Sequence, residues 1–256
     1  MKEIQGFLLD LDGVLYIGDR PISGAAEALG RLRESGLSIR FLSNSTRRSR
    51  ASVAARLGGI GFSIGEGEIL TPAVAAAAML RRERKTAFLL TTGDTHRDFE
   101  DVGVTITDDY PDYIVIGDAG DRFTYALLNR AMRMVLAGAG IIALEKDRTW
   151  MGDDGPMLSA GPFAAALEYA TGREALCVGK PSPAFFAAAI GSLGVPAARV
   201  AMVGDDIETD IGGALRYGLL SILVRTGKFR EEILAGSGIT PDLVIGSVAD
   251  LPDILL

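Results

Sequence analysis

Four short polar segments of this chain hold the side chains best suited to chemistry, and each follows an apolar stretch. In the first, Asp10 and Asp12 come directly after apolar residues 6–9, with Leu11 between them. Two carboxylates at that spacing concentrate negative charge that a bound cation would neutralise, and Gly13 beside them lets the backbone approach a ligand closely. An ordinary aspartate-rich turn explains this segment equally well on its own.

The second and third segments offer neutral polar groups and one cation. Ser43 and Asn44 end an apolar stretch, where they can cap the following helix or hold the oxygens of a phosphate group. Lys180 stands between Gly179 and Pro181, so the backbone around it is more constrained than a solvated lysine requires. A surface lysine in a turn before a helix is the simpler alternative.

The fourth segment holds three aspartates, Asp205, Asp206 and Asp210, after the apolar residues 200–203. Carboxylates grouped without histidine or cysteine suit a hard cation with oxygen ligands, such as Mg²⁺. Asp205 or Asp206 can also cap a helix that begins near Ile207. Capping does not need all three carboxylates.

The elements that must position these segments alternate between short apolar runs and longer amphipathic ones. This alternation predicts an α/β fold whose parallel sheet is built from right-handed βαβ units. Strands are predicted at 6–11, 38–42, 86–90, 113–116, 140–144, 200–203, 221–224 and 243–245. Helix candidates include 23–35, 47–57, 123–137, 162–170, 183–193 and 209–217, and the alanine-rich stretch 73–78 is a good helix former. Ligands of such sheets bind beyond the carboxyl ends of the strands, where the polar segments are expected to meet.

Composition narrows the function classes. The 256 residues include 26 Lys and Arg against 33 Asp and Glu, a net charge of −7, which disfavours a nucleic-acid partner. The one cysteine, Cys177, excludes an intrachain disulfide and any thiolate-rich metal site. No signal peptide is recognised, and the most membrane-like stretch, 135–144, is half the roughly 20 residues a span requires. We therefore expect a soluble, cytoplasmic protein with no membrane partner.

Taken in this order, the motifs DxDG, Ser-Asn, Lys-Pro and GDDxxxD resemble those of the haloacid dehalogenase (HAD) superfamily of phosphotransferases over the whole chain. A narrower likeness, in 161–171 and 178–183, is to the subgroup that contains the phospholysine phosphohistidine inorganic pyrophosphate phosphatase and the haloacid-dehalogenase-like hydrolase domain-containing protein 2. The chain thus resembles subfamily IIA, the NagD-like hydrolases, in which the NagD-type nucleotide phosphatases and the 4-nitrophenyl phosphatases are more distant relatives. The resemblance implies a Rossmann-like parallel-sheet core, the HAD fold, with an inserted α/β cap domain of type 2.

The resemblance also implies the roles of the acidic residues. Asp10 would be the nucleophile that forms an aspartyl-phosphate, and Asp12 the general acid and base. Asp12 argues for a phosphatase, because a dehalogenase lacks an acid there. Mg²⁺ would be held by Asp10, Asp205 and the main-chain carbonyl of Asp12, while Asp206 and Asp210 would orient metal-bound water or the lysine.

The resemblance implies that the remaining motif residues bind the phosphoryl group. Ser43 and Asn44 would donate hydrogen bonds to the phosphoryl oxygens, together with backbone N–H groups near Gly13. Lys180 would neutralise charge between the phosphoryl group and the nucleophile. Every core motif is present, so the resemblance implies an intact active site.

The distance along the chain between Ser43 and Lys180 predicts an insert. The core needs about 40 residues there, for two helices and a strand, and the remainder has its own alternating pattern. We therefore predict a discontinuous core domain, 1–81 and 177–256, and an inserted cap domain, 82–176. Arg148 and Trp150, in the polar segment 146–158, are candidates to read the leaving group, although a hairpin tip with a half-buried tryptophan is an equal alternative. Relatives with such a cap often dimerise through it, so the resemblance also implies a homodimer.

Three functions remain open from the sequence. The first is a Mg²⁺-dependent phosphatase acting on a small phosphorylated molecule. The second keeps the same site but acts on a phosphoramidate or on inorganic pyrophosphate, as the nearest subgroup suggests. The third is a non-catalytic phospho-acceptor that regulates a partner, which would not depend on Asp12.

Overall fold

The computed structural model describes residues 4–152 and 155–255. Its strands are β1 (Gly6–Asp10), β2 (Tyr16–Ile17), β3 (Arg20–Pro21), β4 (Ser38–Leu42), β5 (Ile69–Leu70), β6 (Ala87–Leu90), β7 (Tyr113–Ile116), β8 (Gly140–Ala143), β9 (Thr149–Gly152), β10 (Gly155–Leu158), β11 (Leu176–Cys177), β12 (Val200–Gly204), β13 (Leu220–Val224) and β14 (Leu243–Ile245). Its helices are α1 (Ala25–Glu34), α2 (Arg50–Gly59), α3 (Pro72–Glu83), α4 (His96–Glu100), α5 (Tyr125–Leu136), α6 (Ala160–Thr171), α7 (Pro183–Leu193), α8 (Gly212–Arg216), α9 (Glu231–Ser237) and α10 (Leu251–Leu255). Within the described ranges, no helix is both long enough and apolar enough to cross a membrane.

The described residues form two compact units. The first unit comprises the chain up to Ser43, Ala54–Leu70 and the chain from Lys180 onward. The second unit comprises Asn44–Val53 and Thr71–Gly179. The predicted insert, 82–176, lies within the second unit, which also takes in α3. This helix belongs there because its buried residues, among them Ala76 and Leu80, pack in one cluster with Val115 of β7 and Ile142 of β8.

The first unit is built on a six-stranded sheet with the order β14-β13-β12-β1-β4-β5. All neighbouring strands in it run parallel, and β1 and β12 are buried along their whole length. Strands covered on both faces read as continuous apolar runs, which is why these two were predictable. The register pairs Leu9 with Val203 on one side of β1 and Asp10 with Leu42 on the other.

The second unit contains a four-stranded parallel sheet with the order β11-β8-β7-β6. One apolar cluster packs α5 and α6 against it through residues that include Val135 and Leu167. The cluster that contains α3 is separate from this one. The strands β9 and β10 form an antiparallel pair of their own.

The structure confirms the predicted α/β fold, and every predicted strand forms, with bounds that differ by at most one residue. The helices differ more. α2 begins at Arg50, later than predicted, because the Ser49 hydroxyl accepts a hydrogen bond from the Ser52 N–H and so caps the helix there. The predicted helix 209–217 is divided into a π-helical turn, Ile207–Ile211, and the short helix α8.

Candidate active site

The carboxyl end of β1 is the centre of the candidate site. Asp10 is the last residue of this strand and is buried. Because Leu9 pairs with Val203 and Asp10 with Leu42, the neighbouring strands bring Asp205 and Ser43 to either side, each just beyond the level of Asp10. The strand order therefore brings together motif residues that are far apart in the sequence.

Lys180 links two of these carboxylates. Its Nζ atom donates a hydrogen bond to Asp10 and another, of 2.7 Å, to Oδ1 of Asp210, and all three side chains are buried. Burial alone would lower the pKa of Lys180, but the two carboxylates raise it above the ordinary lysine value, so the side chain is a cation. Burial raises the pKa of Asp10 and of Asp210, and Lys180 opposes both shifts.

Asp205 fits between two glycines. A Cβ atom on Gly13 would stand 1.9 Å from Asp205 Oδ2, and one on Gly227 would stand 2.0 Å from the same atom. Both glycines also have positive φ angles, of 86° and 64°, which other residues rarely adopt. The sequence thus leaves room for the carboxylate of Asp205 at the point where the chain passes close to it on both sides.

The segment Thr226–Gly227–Lys228 is part of the site, although the sequence analysis did not select it. The Lys228 N–H donates a 2.7 Å hydrogen bond to Asp205 Oδ2, and its Nζ atom lies 3.1 Å from Asp206 Oδ2. The Thr226 hydroxyl donates to the carbonyl of Gly13. The segment follows the predicted strand 221–224, so the rule that ligands lie beyond strand ends would have found it.

Asp206 and Asp210 lie in the site and also accept hydrogen bonds from nearby backbone N–H groups. Asp206 Oδ1 accepts the N–H groups of Glu208 and Thr209, each at 3.0 Å, and so caps the π-helical turn. The Asp206 N–H in turn donates to Asp210 Oδ2 at 3.2 Å, which orients the carboxylate that binds Lys180.

Asp12, unlike Asp10, is exposed. Partial desolvation raises the pKa of its carboxyl group above the ordinary value, and Arg56 and Lys228 act in the opposite direction. The Arg56 guanidinium lies 4.8 Å from the centre of the Tyr16 ring and donates to the Gly18 carbonyl at 2.7 Å. These contacts hold a positive charge in the neighbourhood of Asp12.

The remaining predicted residues are divided between the two units. Ser43 is buried at the end of β4, and its N–H donates to the Leu70 carbonyl at 3.1 Å. Asn44, Arg148 and Trp150 belong to the second unit. There Trp150 is partly exposed in β9 and Arg148 is exposed just before it.

An arginine that the sequence analysis assigned no role lies beside Trp150. The Arg47 guanidinium stands 5.5 Å from the Trp150 ring centre, and its Nε atom is 3.5 Å from Asp118 Oδ2. A cation over an indole face is an attractive pair. In the predicted loop 146–158, the positions of Asp153 and Asp154 lie outside the described residues.

The carboxylates of the first unit fit a divalent cation. Asp10, Asp205 and Asp210 each place one oxygen within 4.8 Å of the others. A set of carboxylate oxygens without nitrogen or sulfur is what a hard cation of the Mg²⁺ type prefers. Asp210 uses both oxygens in hydrogen bonds, with Lys180 and with the Asp206 N–H, whereas Asp10 and Asp205 each use one, so these two are best placed to hold the ion.

Comparison with known proteins agrees with this geometry. Residues 7–105 match the family described as haloacid dehalogenase-like hydrolase, and residues 177–251 match a family described as HAD-hydrolase-like. The chain is 39% identical to the phospholysine phosphohistidine inorganic pyrophosphate phosphatase of Bos taurus, over 99% of this chain and 94% of that protein. It is 41% identical to the human haloacid dehalogenase-like hydrolase domain-containing protein 2, over 90% of this chain and 88% of that one.

A solved structure shares the fold at full length. The 4-nitrophenylphosphatase of Thermotoga maritima superimposes with a TM-score of 0.93 and 31% sequence identity, over 99% of this chain and 98% of that one. The family, the relatives and the carboxylate and lysine cluster point in the same direction. The chain therefore belongs to the haloacid dehalogenase superfamily of hydrolases, in its NagD-like subfamily IIA, and it is a phosphatase.

Proposed function

We propose that this phosphatase hydrolyses a small phosphorylated molecule through an aspartyl-phosphate formed on Asp10, with Mg²⁺ as its metal ion. The observation that carries the proposal is the position of Asp10, buried at a strand end in contact with the Lys180 cation and beside Asp205. A carboxylate there is held in place, and the Lys180 cation beside it stabilises added negative charge.

In the first step, a carboxylate oxygen of Asp10 attacks phosphorus in line with the leaving oxygen. The new bond joins Asp10 to phosphorus, and the bond from phosphorus to the leaving group breaks. Asp12 donates a proton to the leaving oxygen, so that it departs as a neutral group. The exposed position of Asp12 suits contact with a group that enters and leaves from solvent.

In the second step, Asp12 accepts a proton from water, and that water attacks phosphorus. The bond between phosphorus and Asp10 breaks, inorganic phosphate is released, and both carboxylates return to their starting state. Ser43 and Asn44 donate hydrogen bonds to the phosphoryl oxygens in both steps, with backbone N–H groups near Gly13. Lys180 lowers the repulsion between those oxygens and Asp10.

Asp10, Asp205 and the main-chain carbonyl of Asp12 would hold Mg²⁺. A bound Mg²⁺ supplies positive charge that neutralises the phosphoryl oxygens and the carboxylates around them. Asp210 positions Lys180, and Asp206 fixes the turn that carries Asp210. The Lys228 N–H keeps one oxygen of Asp205 in a fixed direction.

The relatives favour two different classes of leaving group. The solved relative is named for an aryl phosphate, which favours a phosphomonoester. The Bos taurus relative is named for phospholysine, phosphohistidine and inorganic pyrophosphate, which favours a P–N or P–O–P bond. As part of the proposal, the insert 82–176 acts as a cap, Arg148 and Trp150 read the leaving group, and the enzyme forms a homodimer, which light scattering would test.

The test is hydrolysis of 4-nitrophenyl phosphate by the wild type and by Asp10→Asn, with Mg²⁺ and with EDTA. We expect release that needs Mg²⁺ and is lost in the variant. Asp253→Asn is the matched control, because Asp253 is an exposed aspartate paired only with Arg31 among the described residues, and it should keep full activity. Release that persists in Asp10→Asn would show that the nucleophile is another group.

A substrate panel then separates the bond types. Phosphohistidine, phospholysine and pyrophosphate would be compared with 4-nitrophenyl phosphate by phosphate release under the same conditions. A kcat/KM that is highest for the phosphoramidates identifies a phosphoamidase. Loss of all these activities together in Asp10→Asn shows that one site serves every bond type.

A further inference from the structure

The second unit contains a cavity of about 710 Å³ at the amino ends of its parallel strands. Lys85, Asp112 and Ala139 line it, and these residues come just before β6, β7 and β8. Its volume is in the range of pockets that hold small organic ligands. No residue that lines it has a part in the phosphatase chemistry proposed above.

The sequence explains why this space is open. Residues 137–140, which connect α5 to β8, are alternately alanine and glycine, so few side-chain atoms fill the region. The Tyr113 ring packs directly on Gly140, where a Cβ atom would stand 2.5 Å from Tyr113 Cε1. A Cβ atom on Gly138 would meet nothing within 4 Å.

The charges around the cavity are unevenly paired. Lys85 is satisfied by Asp112, at 2.9 Å, and Asp112 also accepts the Thr86 N–H. Arg133 and Arg173, by contrast, line the cavity without an ion pair to any described residue. Of the two other carboxylates that line the cavity, Asp108 lies 3.3 Å from Arg130, and Asp109 has no ion pair to a described residue. The two arginines therefore outnumber the one unpaired carboxylate, and this excess of positive charge suits an anion.

Tyr110 adds an aromatic surface to the same cavity. Its side chain is 93% exposed, although a large ring usually covers itself against neighbours. Its φ angle of 43° lies in the left-handed region that residues with a side chain rarely adopt. Strained backbone of this kind concentrates at sites that bind ligands, and here it presents a flat ring at the cavity's edge.

We propose that this cavity is a second binding site, for a small organic anion. Its phosphate or carboxylate group lies against Arg133 and Arg173, which offer the planar donor pairs that such groups accept. The planar or apolar body of the ligand lies against Tyr110. The site is separate from the catalytic residues, so occupancy is independent of turnover at Asp10.

The test is calorimetric titration with two probes, adenosine 5′-monophosphate for a phosphate ligand and citrate for a carboxylate, in EDTA so that nothing is hydrolysed. We expect the double variant Arg133→Gln/Arg173→Gln to bind the preferred probe at least tenfold more weakly than the wild type. Arg81→Gln/Arg216→Gln is the matched control, since it removes the same charge from exposed positions that do not line the cavity. Phosphatase activity should be unchanged in both double variants.

A third variant separates shape from charge. Ala137 is exposed and lines the cavity, so Ala137→Phe would fill part of it and leave both arginines in place. We expect it also to weaken binding at least tenfold. Failure of the wild type to bind either probe, or an equal loss in the control pair, would overturn the proposal.

Discussion

Asp10 and Glu145 occupy similar places in the two parallel sheets, but their surroundings differ. Asp10 ends β1 and Glu145 follows β8 after one residue, and both are buried. Burial raises the pKa of both carboxyl groups. Glu145 is satisfied by neutral donors, because Oε1 accepts the Ser159 hydroxyl at 2.7 Å and the Ala160 N–H at 2.8 Å.

Asp10 instead faces charges of both signs. Its neighbours include the Lys180 cation and the carboxylates of Asp205 and Asp210. Neutral donors satisfy Glu145 and make it a cap of α6, whereas Asp10 lies among charged groups, as the proposed role of accepting a phosphoryl group requires. Burial alone therefore does not distinguish the proposed catalytic carboxylate from a structural one, whereas the charge of the neighbouring groups does.

The largest expected effect separates these two carboxylates directly. Asp10→Asn should lower kcat by at least about 10⁴-fold, because it removes the proposed nucleophile, and should leave the free energy of unfolding unchanged or higher, since it relieves repulsion among carboxylates. Glu145→Gln should do the reverse, with kcat within about threefold of wild type and about 1–2 kcal/mol of stability lost with its hydrogen bonds. Phosphate release and urea unfolding measure both quantities. If Asp10→Asn and Glu145→Gln both changed kcat, or both changed the free energy of unfolding, the proposed difference between the two carboxylates would be wrong.

The second prediction removes the cation. Lys180→Met should cost about 3–5 kcal/mol of unfolding free energy, because it leaves Asp10 and Asp210 buried without a counter-charge. Adding Asp210→Asn should restore part of that stability but no activity. Lys146→Met is the control, since it removes a partly exposed ion pair with Glu168 and should cost less than about 1 kcal/mol. Urea unfolding in EDTA is the measurement, and equal losses in the two lysine variants would contradict the prediction.

The sequence predicted the long elements and the chemical groups of the site because both are encoded locally. Eight apolar runs became strands, and Asp10, Lys180 and Asp205 are recognisable by type and by their place after such runs. The two-residue strands β2, β3, β5 and β11 were missed, since so short a run has no periodicity to read. The pair β9 and β10 was also missed, because that segment was interpreted as a loop.

The contacts within the site could not be predicted from the sequence, for a different reason. That Lys180 binds Asp210, and that the Lys228 N–H binds Asp205, depends on the strand order, which puts β12 between β1 and β13. No local pattern fixes that order. The cavity beside Arg133 depends in the same way on which loops meet at one edge of the second sheet.

A third prediction compares two glycines with positive φ. Gly13→Ala should lower kcat by at least about 100-fold, because its methyl group would displace Asp205 from a position where small misplacements are costly. Gly172→Ala, at the end of α6 with nothing within 4 Å of the new Cβ atom, should lose about 1 kcal/mol of stability and no activity. Kinetics and thermal unfolding of the two variants test this, and an active Gly13→Ala enzyme would show that Asp205 tolerates movement.

The smallest expected effect concerns a pair of aspartates in the second unit. Burial raises the pKa of Asp98 from 3.8 to about 6, although it accepts the Arg50 N–H. Burial also acts to raise the pKa of Asp94, but hydrogen bonds from Ser49 and Ser52 lower it to about 2. Near the start of α4, two neighbouring carboxylates thus differ in the hydrogen bonds that they accept and, as a result, in the direction of their pKa shifts.

The folded protein therefore binds a proton at Asp98 that the unfolded chain releases, and this contribution to stability is lost as the pH rises from about 4 to about 6. Relative to wild type, Asp98→Asn should become more stable by roughly 1–2 kcal/mol between pH 4 and pH 7.5. Asp94→Asn should instead be destabilised at pH 7.5, because the folded state favours its charged form. Urea unfolding at the two pH values decides this, and parallel curves for Asp98→Asn and wild type would exclude the raised pKa.

The position of β1 between β4 and β12 also determines when the candidate site can form during synthesis. Gly6 pairs with Val200, so β1 waits for this partner while about 190 residues are synthesised, roughly 10–40 s at ribosomal rates of about 5–20 residues per second. During that interval one edge of β1 is open to wrong partners, and Asp10 has neither Lys180 nor Asp205 beside it. The second unit, whose segments end at Gly179, is complete before that strand closes. A ribosome-bound chain thus carries the proposed nucleophile before the residues that surround it in the folded site have been made.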